Sequence, residues 1–219
     1  MRVERKILLN PGPATTTDSV KYAQVVPDIC PREKEFLDVI KEVRGSLVKI
    51  AQGGKDYTCI LFGGSGTAAM ESVISSAIVP NGRVLIINNG AYGERFANIA
   101  KTYGIEHINL KFDLDKPLNL ERIVQVFEKE GGIDSLAVVH HETTTGILNP
   151  IEDIGKIAKR FDCTYIVDTI SSFAGVPFSV KDCNIDYMMS TSNKCIQRLP
   201  GVSFAICKKY ELEKIKNYS

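Results

Sequence analysis

The chain has 219 residues, of which 44% are hydrophobic and 24% charged, and a formal net charge of +1. This is the composition of a globular protein with room for a substantial core, and it implies no basic face for nucleic acid or an anionic membrane. No apolar run approaches the roughly 20 residues of a membrane span, and Met1-Arg2-Val3-Glu4-Arg5-Lys6 lacks the apolar stretch of a signal peptide, so a cytoplasmic location is expected.

The N-terminal segment, through Asn10-Pro11-Gly12-Pro13 to Cys30-Pro31-Arg32, is irregular and rich in Pro and Thr; residues 1–32 read as an arm or entry loop. From Lys34 to Ala51 the apolar residues Phe36, Val39, Ile40, Val43, Leu47 and Ile50 recur at helical spacing. Tyr57 to Phe62 reads as a strand stopped by Gly63-Gly64, and Thr67 to Ile78 as a helix. After the turn Pro80-Asn81-Gly82 come a strand over Arg83–Ile87, a helix over Gly93–Tyr103 closed by Gly104, and a strand over Ile105–Leu110. Leu120–Glu130 is helical, Ser135–His140 extended, Ile151–Phe161 helical and Thr164–Val167 extended; Met188–Ser190 and Val202–Ile206 complete the series. Near-continuous apolar strands alternating with helices predict an α/β fold, a three-layer α/β/α arrangement around a mostly parallel sheet.

Ligands of such sheets bind beyond the carboxyl ends of the strands, and that is where the polar candidates fall. Gly63-Gly64-Ser65-Gly66-Thr67 opens a helix directly after a strand, a place where free N–H groups and the helix dipole favour an anion. It lacks the Gly-Lys-Ser/Thr of a Walker loop and the GxGxxG spacing, and by itself it is equally an ordinary Gly-rich turn with a capping serine. Tyr92, after Asn89-Gly90-Ala91, is either a surface aromatic at a helix start or a flat partner for a ring. His140-His141-Glu142-Thr143-Thr144-Thr145-Gly146 ends another strand. Adjacent side chains on a strand point to opposite faces, so the two histidines do not suit one metal ion; Glu142 or Thr143 is the better candidate to face a ligand, and one histidine is a satisfied polar residue. The cysteines, Cys30, Cys59, Cys163, Cys183, Cys195 and Cys207, show no CxxC or metal spacing. They read as reduced structural thiols.

A carboxylate, Asp168, ends the run Tyr165-Ile166-Val167, and a lysine, Lys194, follows the run Ile185–Ser190 and the small polar residues Thr191-Ser192-Asn193. Taken alone, Asp168 is a turn residue and Lys194 a solvated one. Together they meet the two demands of pyridoxal phosphate: an amine for the Schiff base, and an acid that keeps the pyridine nitrogen protonated. With that pair downstream, phosphate binding becomes the better reading of Ser65-Gly66-Thr67.

In this order, Asn10-Pro11-Gly12-Pro13, Gly64-Ser65-Gly66-Thr67, Gly90-Ala91-Tyr92-Gly93, His141–Gly146, Val167-Asp168-Thr169 and Ser192-Asn193-Lys194 resemble the motifs of the class V, fold-type I pyridoxal phosphate-dependent aminotransferases. Pro27–Glu33 and Thr143–Pro150 favour the branch that uses 2-aminoethylphosphonate and pyruvate over the alanine–glyoxylate branch. The resemblance implies an aspartate aminotransferase-like large domain over 33–219. Lys194 would bind the cofactor covalently and move the proton, and Asp168 would pair with the ring nitrogen. Tyr92 would stack on the ring, Ser65, Gly66 and Thr67 would hold the phosphate with Asn193 in reach of it, and Thr143 would meet the ring hydroxyl; Ile170 completes the cofactor-binding set. The implied reaction gives phosphonoacetaldehyde and L-alanine in a homodimer. A smaller C-terminal domain, with the arginine that clamps the substrate's acid group, is expected to be absent from this chain.

Other readings stand beside this one: a domain that binds the cofactor without turnover, a related alanine–glyoxylate or serine–pyruvate transferase, a cysteine desulfurase, or a nucleotide-binding α/β domain. Desulfurases usually carry histidine where Tyr92 sits, and the nucleotide reading lacks its phosphate-loop fingerprints.

Overall fold

The computed structural model of the chain describes residues 6–216 and 218. Met1–Arg5, most of the charged run weighed against a signal peptide, lie outside the described residues, as do Asn217 and Ser219.

Seven strands form one sheet in the order β1-β9-β8-β7-β4-β2-β3. They are β1 (Tyr57–Gly63), β2 (Arg83–Asn88), β3 (Glu106–Lys111), β4 (Ser135–Val139), β7 (Thr164–Asp168), β8 (Tyr187–Thr191) and β9 (Val202–Lys208). The pairs β2–β3, β2–β4, β4–β7 and β7–β8 are parallel, whereas β9 runs antiparallel to both β8 and β1. The reversal has a local cause. No helix separates β8 from β9, and a parallel return needs a crossover that the short intervening loop does not supply. A small hairpin, β5 (His141–Glu142) with β6 (Ile147–Leu148), stands apart, its turn passing through Gly146 at φ 74°.

Alternation along each strand builds the layers. In β2, Leu85 and Ile87 pack with Ile123 and Phe127 of α5 (Leu120–Glu130) and with Ile154 of α6 (Ile151–Arg160). Val84 and Ile86 pack on the opposite face, with Met70 and Ile74 of α3 (Gly66–Ala77) and Phe96 of α4 (Ala91–Thr102). The three-layer α/β/α expectation therefore holds, with β9 as the strand that departs from parallel. Leu47 of α2 (Lys34–Ile50) joins the first layer, and Leu212 of α7 (Lys209–Ile215) packs against the second.

Element ends differ from the sequence expectation by a residue or two, and two differences matter. The N-terminal segment is not wholly irregular. A short helix α1 (Asp18–Tyr22) forms within it, with Thr17 as cap accepting a hydrogen bond from the Val20 N–H. In addition, α4 begins at Ala91 rather than Gly93, which puts Tyr92 inside its first turn.

Candidate active site

Ser65 ends the turn after β1 and caps α3, its hydroxyl accepting from the Ala68 N–H at 3.4 Å. The turn is tied to the strand beside it, since the Gly64 N–H donates to the Gly201 carbonyl at 2.9 Å. Thr67 stands in the first turn of α3, and its Oγ1 accepts from Arg95 Nη1 at 2.9 Å. Gly66 is buried, and a Cβ there would come within 2.8 Å of Ile170 Cδ1. The glycine lets the start of α3 close onto the segment after β7.

That segment carries Asp168 at the end of β7, with 2% of its surface exposed. Its Oδ1 accepts from the Ile170 N–H at 2.7 Å. Burial pushes the carboxyl up to about 7, and the nearby charge of Glu142 pushes the same way; the Ile170 N–H, Arg95 and Lys194 pull against it. A buried acid poised near neutrality and close to a lysine suits proton sharing with a basic ring nitrogen.

Lys194 follows β8 and is half-buried. The turn is held by Gln197 N–H donating to the Lys194 carbonyl (2.9 Å), Arg198 N–H to the Ser192 carbonyl (2.9 Å), and Ser192 Oγ to the Leu199 carbonyl (2.8 Å). The N-terminal arm closes over it. Ala14 N–H donates to the Asn193 carbonyl at 2.9 Å, and a Cβ on Gly12 would meet Lys194 Cδ at 2.4 Å and Nζ at 2.6 Å. Asn193 itself accepts from Thr191 Oγ1 at 3.0 Å through its side chain.

Tyr92 is half-buried, with the Arg95 guanidinium over its ring, 4.9 Å from the centroid. Its helix has no side-chain cap from its own sequence; Gly90 occupies that position. The cap arrives from β5. Glu142 is fully buried, and its Oε2 accepts from Tyr92 N–H (3.1 Å) and Gly93 N–H (3.3 Å), while Oε1 accepts from Thr144 N–H (3.1 Å) and Thr144 Oγ1 (2.6 Å). The expectation that Glu142 or Thr143 faces a ligand is thus corrected for Glu142. Its carboxylate is spent on the α4 N-terminus, where free N–H groups and the dipole favour a negative charge. Thr143 is half-buried and shares a hydrogen bond with Ser171 Oγ at 2.5 Å.

His140 is the satisfied histidine. Its Nδ1 pairs with Ser172 Oγ at 2.8 Å, and Phe178 meets its ring edge-on at 5.1 Å. Burial and the neighbouring His141 lower it to about 4, so it stays neutral. Among the described residues no cluster of His, Cys, Asp and Glu has the makeup to hold a metal ion. Cys59 and Cys207 are buried in the sheet, which pushes both thiols up to about 12.

The sheet edge therefore gathers Ser65, Gly66, Thr67, Tyr92, Thr143, Asp168, Ile170, Asn193 and Lys194. Sequence reading missed Arg95, Ser171 and the closing role of Gly12. Arg95 had a detectable signal, since it lies one helical turn after Tyr92; the other two contacts join segments far apart in the chain. A cavity of about 630 Å³ lies at the other edge of the sheet, between Ser75, Pro80, Tyr103, Glu106 and Ile215, and shares no residue with this group.

A family model described as Aminotransferase class-V matches residues 17–219. The chain is 42% identical over 217 residues to a 2-aminoethylphosphonate–pyruvate transaminase of Bacillus cytotoxicus, covering 99% of this chain and 59% of that one. It is also 42% identical over 211 residues to a bifunctional phosphonoacetaldehyde hydrolase/aminoethylphosphonate transaminase of Clostridioides difficile, covering 96% of this chain and 33% of that one. Among solved structures, an alanine–glyoxylate aminotransferase from Nostoc sp. superposes with a TM-score of 0.91 at 30% identity, over 99% of this chain and 57% of the other. The chain thus spans less than two thirds of the length of these relatives.

Proposed function

The chain belongs to the class-V aminotransferases, and from that premise we propose that it is the cofactor-binding large domain of a pyridoxal phosphate-dependent transaminase. The reaction we assign to the whole enzyme is transfer of the amino group of 2-aminoethylphosphonate to pyruvate, giving phosphonoacetaldehyde and L-alanine. The names of the relatives support this choice of substrates. In this reading residues 1–32 are an arm and 33–219 the large domain.

The observation that carries the proposal is that one sheet edge holds both a buried Asp168, at the end of β7, and a half-buried Lys194, after β8, whose end lies against Gly12. The residues present fit pyridoxal phosphate. Ser65, Gly66 and Thr67 offer hydroxyls and N–H groups for a phosphate, Tyr92 a ring face, Thr143 a hydroxyl for the ring hydroxyl, and Asp168 an acid for the ring nitrogen, with Ile170 and Asn193 alongside. When bound, the cofactor supplies an electron-withdrawing ring that carries the amino group between the two substrates. Lys194 would hold it through Nζ, and the same amine, once free, would be the base that takes up and returns a proton there. Asp168 would pair with the ring nitrogen and favour its protonated form, and the burial of Asp168 would strengthen that interaction by excluding water.

Exposed apolar residues on the arm and on α2, among them Leu9, Val25, Leu37 and Val43, support a homodimer that covers them. No described helix is long and apolar enough to cross a membrane, and a cytoplasmic location is part of the same proposal.

The test is to incubate the purified chain with pyridoxal phosphate, reduce with borohydride and map the modified lysine by mass spectrometry. A pyridoxyl group on Lys194 alone supports the assignment; none, or a scatter over surface lysines, counts against it. Adding 2-aminoethylphosphonate to the loaded protein then separates a transaminase, which releases phosphonoacetaldehyde, from a domain that only binds.

A further inference from the structure

Arg95 is a cation at the rim of the site to which the reading above gives no task. It follows Tyr92 by one helical turn on α4, so both side chains leave the helix on one face. Its guanidinium covers one face of the Tyr92 ring and reaches across to α3, where Nη1 donates to Thr67 Oγ1 at 2.9 Å. Its charge is also felt at Asp168. Among the described residues no carboxylate stands within ion-pair distance of it; the neighbouring Glu94 is held instead by Asn88 and Lys111. Satisfied by a hydroxyl and an aromatic face, this guanidinium keeps its charge and further N–H donors for an anion.

The contact has a specific effect on Thr67. A hydroxyl gives one hydrogen and accepts through its lone pairs, whereas a guanidinium only donates. With Arg95 donating to the Thr67 oxygen, the hydroxyl hydrogen is left to be given elsewhere. Among the described residues nothing accepts it. A cation on the oxygen also polarises the O–H and strengthens it as a donor.

We propose that Arg95 is a positioning residue for the cofactor's phosphate, acting through Thr67: it commits that hydroxyl to donating toward the α3 N-terminus and adds a positive charge beside the oxyanion. The inference rests on the cofactor reading above, because the oxyanion it names belongs to that cofactor. It also explains why the guanidinium lies on Tyr92, since this leaves the other ring face for stacking.

The test compares pyridoxal phosphate with pyridoxal, which lacks the phosphate, by equilibrium dialysis against wild type, Arg95→Gln, Arg95→Lys, Thr67→Val and the double variant Arg95→Gln/Thr67→Val. Arg95→Gln is expected to weaken pyridoxal phosphate about 10- to 100-fold, the range of a charge-assisted hydrogen bond, and to change pyridoxal by less than about 2-fold because no phosphate is involved. Arg95→Lys should recover part of the loss, and the double variant should lose clearly less than the sum of the two single effects, as coupled groups do. Equal losses for both ligands, strictly additive losses, or unchanged affinity in Arg95→Gln would overturn the role of Arg95 while leaving the cofactor reading intact. A wild type that binds the two ligands alike and takes no pyridoxyl group on Lys194 would overturn both together.

Discussion

Gly12 lies so close to Lys194 that a Cβ on it would stand 2.4 Å from the lysine Cδ and 2.6 Å from Nζ. The N-terminal arm is therefore a wall of the site, pinned there by the Ala14–Asn193 backbone bond. The obstructed atoms are the end of a flexible side chain, which can swing aside at little cost in stability. Gly12→Ala is expected to change unfolding free energy by less than about 0.5 kcal/mol, as surface substitutions do, yet to slow borohydride-trapped labelling of Lys194 several-fold. A variant that labels at the wild-type rate would show that the arm does not place the amine.

Lys194→Ala removes the amine itself. Covalent pyridoxyl incorporation should vanish while the circular dichroism spectrum stays that of the wild type, because the lysine is only half-buried and stands in a loop after β8. Retention of a stable covalent adduct in this variant would refute its assignment.

The acid response of the cofactor-free chain should reveal Asp168. Burial raises Asp168 from 3.8 to about 7 and lowers His140 from 6.5 to about 4. For Asp168 the folded state binds the proton more tightly, so its stabilisation is present below 3.8 and is lost as pH rises through 7. For His140 the folded state refuses the proton, so its stabilisation is present above 6.5 and is lost as pH falls through 4. Over the shared window the two slopes oppose each other. Asp168→Asn keeps the bond to Ile170 and removes the first slope. Its stability should then fall more steeply than that of wild type as pH drops from 6.5 to 4, by up to about 1.4 kcal/mol per pH unit, and should exceed wild type above pH 7. Urea midpoints across a pH series would measure both, and identical pH profiles would contradict the burial argument.

Glu142→Gln replaces an acceptor of four hydrogen bonds by an amide whose NH₂ must face donors on one side. A loss of about 1–3 kcal/mol is expected, the cost of leaving buried donors unpaired. Hydrogen exchange at the Tyr92 and Gly93 amides should quicken with it. Wild-type protection at those two amides would show that the α4 N-terminus does not depend on this carboxylate.

The helices and strands were readable because each rests on local periodicity. Apolar residues of β2 alternate between the two layers, and Asn119 and Gly131 mark the ends of α5 by its cap and by a φ of 60°. The start of α4 was misread by two residues for the opposite reason: its cap, Glu142, stands 50 positions from Tyr92. The direction of β9 was likewise hidden, since a short, mostly apolar run reads the same in either orientation.

By itself the sequence determined which residue types end which strands: small residues and hydroxyls after β1, an acid after β7 and a lysine after β8, the set from which the cofactor was inferred. Those features are local, so composition and order reveal them. Only the tertiary structure decided which of these ends touch: Arg95 on Thr67, Ile170 on Gly66, Gly12 on Lys194, and Glu142 turned away to cap α4. Such contacts depend on strand order and on the packing of α3 and α4 over the sheet. Periodicity along one segment says nothing about which distant segment will lie beside it.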